Sequence, residues 1–343
     1  AARRPVSAAS EIKSAAELIN AATSPIVIAG GGCVDAGAQL AKFAEAIDAP
    51  VVLTGNAKGV LSSNHPLCAG NCLVFGRVQR DIEAAELVIV VGTELSDADL
   101  YNGGQALQFG GNVIRIDIDK EQLTRRTTPT VGLVGDAGET LSALMAAIQT
   151  KTSTDGQEQA KTWREHARAK TGAPFVPWLE AIEQTLPNDV IVALDSTQLA
   201  YSAHWWLPAT QPRSWLAPYG LGTLGCALPM AIGAAVAAPD RPILAIVGDG
   251  GWLFTLSEMA VANDLQQRIT LLLWDNTGYA QIRESFDNVD ATRIGVDISS
   301  HDPTAIARGF GWEAIEVTTP PQLKEALSTA FASNAPRFVR VRL

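Results

Sequence analysis

Apolar residues fall in short unbroken runs separated by segments of helical period, and this alternation repeats along the whole chain. Ile26–Ala29, Val51–Leu53, Leu87–Val91 and Val113–Ile118 are runs that suit strands covered on both faces. Among them, Ser10–Ala22 and Ala36–Ile47 space their apolar residues as helices do, with Ser10 the expected N-cap of the first. Further along, Val190–Leu194, Ile243–Val247, Ile269–Trp274 and Phe338–Val341 repeat the strand pattern, while Ala227–Ala238 and Phe254–Asn263 read as helices. The alternation predicts an α/β protein with two doubly wound domains and mainly parallel sheets.

A chain of 343 residues matches that count, at roughly 150 residues per domain. The first domain is expected over residues 1–150, closing near Ile148, and the second over 171–343. Residues 151–170 are expected as a linker: Lys151–Ala160 is polar and lacks an apolar period, as a linker or exposed connection does, and a mixed helical stretch past it leads into the second domain. The opening Ala1-Ala2-Arg3-Arg4-Pro5 also reads as an inter-domain linker rather than the start of a fold.

Composition narrows the function. Hydrophobic residues make up 47% and charged residues 18%, which supports a large core and excludes disorder as the main state. The formal charge of −10, without a cluster of Lys and Arg, argues against a nucleic-acid partner. No apolar run reaches the roughly 18 residues of a membrane span. Four cysteines in this length do not make a disulfide framework, and Cys68, Cys72 and His65 fall short of a structural zinc set. A reducing, cytoplasmic setting is the resulting expectation.

Two glycine clusters follow strands. Gly30-Gly31-Gly32 lacks the GxGxxG spacing, so a tight strand-to-helix turn competes there with a nucleotide site that Asp117 or Asp119 would complete. Gly248-Asp249-Gly250-Gly251 is more informative. It closes a strand where open α/β sheets bind ligands, and its glycines let the backbone approach an anion. The helix expected from Phe254 would turn its positive end to the same anion. An acid inside a phosphate loop needs an intervening cation, and Mg²⁺ is the natural choice because it takes oxygen ligands shared with phosphates. The next apolar strand runs into Asp275-Asn276-Thr277-Gly278, which offers the Asn276 side-chain oxygen and the Gly278 carbonyl.

GDGG followed by Asn276 at the end of the next apolar strand resembles the cofactor motif of thiamine-diphosphate-dependent enzymes. The resemblance implies that Asp249, Asn276 and the backbone of Gly278 hold Mg²⁺ on the diphosphate, with Gly248, Gly250 and Gly251 beside it. One departure stands out: the family usually has two consecutive asparagines, and this chain has Asp275 in the first place. Tyr219–Gly225 is similar to the stretch that cradles the aminopyrimidine. There Leu224 would bend the cofactor and the Gly222 carbonyl would accept from its amino group. Asp195-Ser196-Thr197-Gln198 resembles the upstream loop at the diphosphate, which makes Thr197 and Gln198 cofactor-binding candidates. Gln281 and Glu284 are candidates for substrate contact, whereas His204, Trp205 and Trp206 read as packing.

The whole chain looks like the central and C-terminal domains of the acetolactate synthase-like branch, and its Asn276–Arg283 loop is similar to that of 2-oxo acid decarboxylases, the guanidino-oxopentanoate decarboxylases among them. That implies decarboxylation or carboligation of a small 2-oxo acid, with FAD or ADP a candidate ligand of the first domain. It also implies a homodimer or homotetramer whose active site forms between subunits. The family's activating glutamate belongs to an N-terminal pyrimidine-binding domain that no segment here resembles, so the chain is expected to be a fragment, inactive by itself. The alternatives are a non-catalytic cofactor-binding subunit that needs a partner chain, and a dinucleotide-binding protein built on Gly30–Gly32.

Overall fold

The computed structural model describes residues 5–151, 155–299 and 301–343; residues 1–4, most of the expected N-terminal linker, lie outside the described residues. The chain divides into two compact units. One runs to Lys170 and also takes in Pro208–Arg213; the other is Thr171–Leu207 with Ser214–Leu343.

The first unit holds β1 (Ile26–Ala29), β2 (Val51–Leu53), β3 (Cys68–Gly70), β4 (Leu87–Val91), β5 (Asn112–Asp117) and β6 (Val131–Val134). Every pairing is parallel, in the order β3-β2-β1-β4-β5-β6. β1, β2 and β4 are buried at every position, as continuous Val/Ile/Leu runs require when helices cover both faces. The helices Gly37–Ile47 and Ala137–Met145 pack on one another over this sheet and supply Leu40, Phe43, Leu141 and Leu144 to its core.

The second unit is built the same way from β7 (Ile191–Leu194), β8 (Trp215–Leu216), β9 (Ile243–Gly248), β10 (Ile269–Asp275), β11 (Glu313–Val317) and β12 (Arg337–Arg342). Its order is β11-β12-β10-β9-β7-β8, again all parallel. The strand order reverses between β7 and β9, so the carboxyl ends of these strands flank the crevice where such sheets take ligands. Two doubly wound α/β units with parallel sheets are therefore present, as the alternating pattern predicted.

Three local expectations are corrected. The first helix spans Ala9–Ala21 with Ala8 as its N-cap and no side-chain cap bond, so Ser10 lies inside the first turn. The stretch expected as a 151–170 linker contains the helix Gly156–Ala169. Its buried residues are Gly156, Ala160, Trp163 and Ala167, set three and four apart among polar and charged residues, and the Trp163 indole donates to Asp81 Oδ2 at 2.9 Å. Such a sparse stripe is easily taken for a polar loop. Finally, the helix expected over 254–263 is replaced by a single turn, Asp249–Trp252, and a separate helix, Glu258–Asp264. The glycine pair 250–251, a poor helix former by propensity, sits inside that turn.

Candidate functional site

Strand register assembles the site. Leu194 pairs with Ile246 and Trp274 with Gly248. The residues that follow, Asp195, Asp249 and Asp275, therefore emerge side by side from three adjacent strands. All three are buried, at 2%, 3% and 4% exposure. Three buried acids at one sheet edge demand compensating donors, and each acid has a different set.

Asp195 serves the backbone. Its Oδ2 accepts from Gly225 N at 2.8 Å and its Oδ1 from Ser196 N at 2.8 Å. Burial pushes its carboxyl above the usual range, opposed by the N–H groups of Ser196, Gly225, Ala227 and Cys226. It thereby satisfies donors at the start of the helix Ala227–Ala237 and anchors the 219–225 loop. A Cβ at Gly251 would stand 3.1 Å from this carboxylate.

Asp249 joins two loops. Oδ1 accepts from Gly250 N at 2.8 Å and Oδ2 from Gly278 N at 2.7 Å. Burial pushes its carboxyl up to about 6; the N–H groups of Gly278 and Gly250 oppose this, and the charge of Asp275 adds to it. Gly278, at φ 138°, has room only for hydrogen, since a Cβ would meet the Val296 carbonyl at 2.6 Å.

Asn276 is half-buried, and its amide is oriented from one side. Nδ2 donates to Gln198 Oε1 at 3.2 Å, and Gln198 Nε2 donates to Glu284 Oε2 at 3.3 Å. Asn276 Oδ1 is buried without a hydrogen-bond partner. A buried amide oxygen left bare is costly, and here it lies on the loop tied to a buried carboxylate. Oxygen donors of this kind suit a hard divalent cation. Among the described residues no group of three or more His, Cys, Asp or Glu side chains forms an alternative metal cluster. Cys68 and Cys72 are free and buried; burial pushes the Cys68 thiol up to about 11 and the Cys72 thiol up as well.

The remaining sequence candidates divide. Thr197 is buried against Gly248, where a Cβ would stand 2.9 Å from Thr197 Oγ1. Gly250 lies under the Tyr279 ring, 2.5 Å from a would-be Cβ. Gly222 is exposed at φ 63°, and its carbonyl accepts from Ser196 Oγ at 3.0 Å. Leu224 is half-buried on the same loop. Glu284 joins the cluster through Gln198, whereas Gln281 is exposed, with its backbone carbonyl taken by Ser285 Oγ. His204 Nδ1 accepts from the Trp215 indole at 3.0 Å and lies 2.7 Å from Tyr219 Oη, in keeping with packing. Sequence reading missed Arg340, which donates to Asp275 Oδ2 at 2.7 Å from 65 residues away, a separation that no local motif bridges.

In the first unit, Gly30 and Gly32 are pressed against the Gly92–Thr93 backbone that follows β4. A Cβ on Gly30 would lie 2.3 Å from the Gly92 carbonyl, and one on Gly32 would lie 2.8 Å from Gly92 Cα. These glycines serve a tight turn.

Comparison with known proteins identifies the family. Residues 12–144 match the family model described as thiamine pyrophosphate enzyme, central domain, and residues 195–341 match thiamine pyrophosphate enzyme, C-terminal TPP binding domain. The chain belongs to the thiamine pyrophosphate enzyme family, and its second unit carries the cofactor-binding domain. It is 35% identical over 352 residues to the probable 2-ketoarginine decarboxylase AruI of Pseudomonas aeruginosa, covering 99% of this chain and 62% of that protein. It is 28% identical over 353 residues to the acetolactate synthase isozyme 1 large subunit of Escherichia coli, covering 100% and 62%. It is also 28% identical over 354 residues to a probable acetolactate synthase large subunit of Methanocaldococcus jannaschii, covering 95% and 58%. The chain thus spans about three fifths of the length of the curated relatives it matches. Among the described residues no helix is long and apolar enough to cross a membrane.

Proposed function

We propose that this chain holds thiamine diphosphate and Mg²⁺ at the carboxyl edge of β7, β9 and β10, in an enzyme that decarboxylates or carboligates a 2-oxo acid. The observation that carries the reading is Asn276 Oδ1, a buried oxygen without a partner on the loop that bonds to Asp249. Asp249 and Asn276 would hold the cation, with the Gly278 carbonyl, which accepts from Ala280 N at 3.0 Å, as a third oxygen. Gly248, Gly250 and Gly251 would let the backbone approach the diphosphate, flanked by Thr197. Gln198 acts through Asn276, fixing which way its amide points. Leu224 and Gly222 would support the bent cofactor, and Glu284 and Gln281 would face the substrate. When bound, the cofactor supplies an electron sink at the 2-oxo carbon that allows CO₂ to leave.

The substrate class rests on the relatives' names, a 2-ketoarginine decarboxylase and acetolactate synthases. Calorimetry with thiamine diphosphate and Mg²⁺, on wild type and Asp249→Ala, tests the binding reading; unchanged binding in the variant would refute it. A panel of 2-oxo acids that includes 2-ketoarginine and pyruvate, scored for CO₂ release and for carboligation product, tests the activity. Cofactor binding without turnover is the outcome expected both of a fragment and of a non-catalytic cofactor-binding subunit; turnover by this chain alone would refute both.

In the first unit, a nucleotide such as FAD or ADP is supported by three buried polar atoms without partners, Asn102 Oδ1, Gln122 Oε1 and Arg126 Nη1. All three lie on segments that follow β4 and β5, at the sheet's ligand-binding edge. Release of a nucleotide on acid denaturation of the purified protein would identify it.

A further inference from the structure

Asp275 stands where the resembling enzymes carry an asparagine, one register step beyond the Trp274–Gly248 pair and next to Asp249. Two buried carboxylates side by side repel each other and an incoming diphosphate. β12 resolves this. Arg340 Nε and Nη2 both donate to Asp275 Oδ2, at 2.7 and 2.6 Å. The third guanidinium nitrogen, Nη1, donates to Glu316 Oε2 at 2.7 Å, and Arg342 Nε takes the other Glu316 oxygen at 2.6 Å. The pair is secluded: the Arg340 and Asp275 side chains are 13% and 6% exposed. Asp275 Oδ1 accepts from Thr277 N at 3.1 Å, and Thr277 is held there at φ 60°, a left-handed backbone that a β-branched residue rarely adopts.

Taking Asp249 and Asn276 as the cation ligands proposed above, we infer that Arg340 is a positioning residue for the metal loop. It neutralises Asp275, so that a second carboxylate can stand beside Asp249 without competing for the cation. The other oxygen, Asp275 Oδ1, accepts from Thr277 N–H and holds the 276–278 turn that delivers Gly278 N–H to Asp249, a bond that an asparagine oxygen can also make. The network is asymmetric. Without Asp275, Arg340 keeps Glu316. Without Arg340, Asp275 is a buried charge left with only a backbone donor, the costly case.

That asymmetry sets the test: Mg²⁺ titrations at fixed thiamine diphosphate, followed by tryptophan fluorescence, with thermal melts alongside. Arg340→Leu should weaken apparent Mg²⁺ affinity by about tenfold or more, the scale of a lost supporting partner. Asp275→Asn should stay within about threefold of wild type, and the double variant should recover to the Asp275→Asn level. An Arg340→Leu protein that binds like wild type overturns the inference, as does a double variant no better than Arg340→Leu. If Arg340→Leu does not fold, a double variant that folds and binds supports it, and one that does neither overturns it. A wild type that takes no Mg²⁺ with thiamine diphosphate removes the metal site and this inference together. Failed rescue beside a normal wild-type response removes the inference alone.

Discussion

Gly278 N–H donates to Asp249 Oδ2 at 2.7 Å, so one carboxylate joins the loops after β9 and β10. Asp249 thus has two jobs, and substitutions at Asn276 and Asp249 should differ.

Asn276→Ala removes the bare oxygen and one bond to Gln198. Apparent Mg²⁺ affinity in the presence of thiamine diphosphate should fall by about tenfold or more, with the melting temperature of the metal-free protein nearly unchanged. A fluorescence titration and a thermal scan of the same sample check both. Unaltered Mg²⁺ dependence would exclude Asn276 as a ligand.

The buried Asp249 carboxyl, pushed up to about 6, sets a pH signature. Its unfolded counterpart titrates near pH 3.9, so between about pH 4 and 6 the folded state holds a proton that the unfolded state has lost. The cost of the ionised group is therefore fully present above about pH 6 and relieved on acidification towards about pH 4. Asp249→Asn should melt higher than wild type in chelator at about pH 7.5, by a margin that shrinks towards about pH 4. Mg²⁺ with thiamine diphosphate should stabilise wild type and not the variant. Equal melting temperatures in chelator at both ends of that range would contradict this account.

Gly30→Ala should destabilise the first unit, because the new methyl meets the Gly92 carbonyl. Overpacking of this kind costs about 3 kcal/mol, readable as a shifted urea midpoint. A variant of wild-type stability would show that the turn has slack and reopen the ligand reading of these glycines.

Trp163→Ala should cost about 3–5 kcal/mol, since this fully buried indole anchors the helix Gly156–Ala169 and donates to Asp81. Protease sensitivity within residues 151–170 should rise in parallel. An unchanged digestion pattern would mean the helix is held by other contacts.

What the sequence made legible follows from range. Val, Ile and Leu runs announce buried parallel strands, because burial on both faces leaves no room for polar alternation, and β4, β9 and β10 appear where those runs lie. Asp249 and Asn276 could be paired in advance because each ends such a run and one crossover separates them. Less was readable where partners come from afar or signals are diluted. β11 sets Glu313 and Glu316 among Ala314, Ile315 and Val317 on a mostly exposed edge and carries no long apolar run. The stripe on Gly156–Ala169 has one large residue among charges. Arg340 looks like any charge at the end of a strand until the β10–β12 register places it beside β10. The departure at Asp275 was visible in the sequence; its counter-ion was not.

Pro208–Arg213 belongs to the first unit although the chain on either side of it belongs to the second. Three hydrogen bonds of 3.0 Å join Ser63 and Ala209 there, and Arg213 pairs with Asp35 at 2.7 Å. The boundary in space is thus not a boundary in sequence. A cut after Lys170 would strip the first unit of one of its own segments and leave the second trailing six residues made for another surface. Exchange of these units between relatives, in a laboratory or by recombination, has to carry that segment along with the first unit, as a patch within the second.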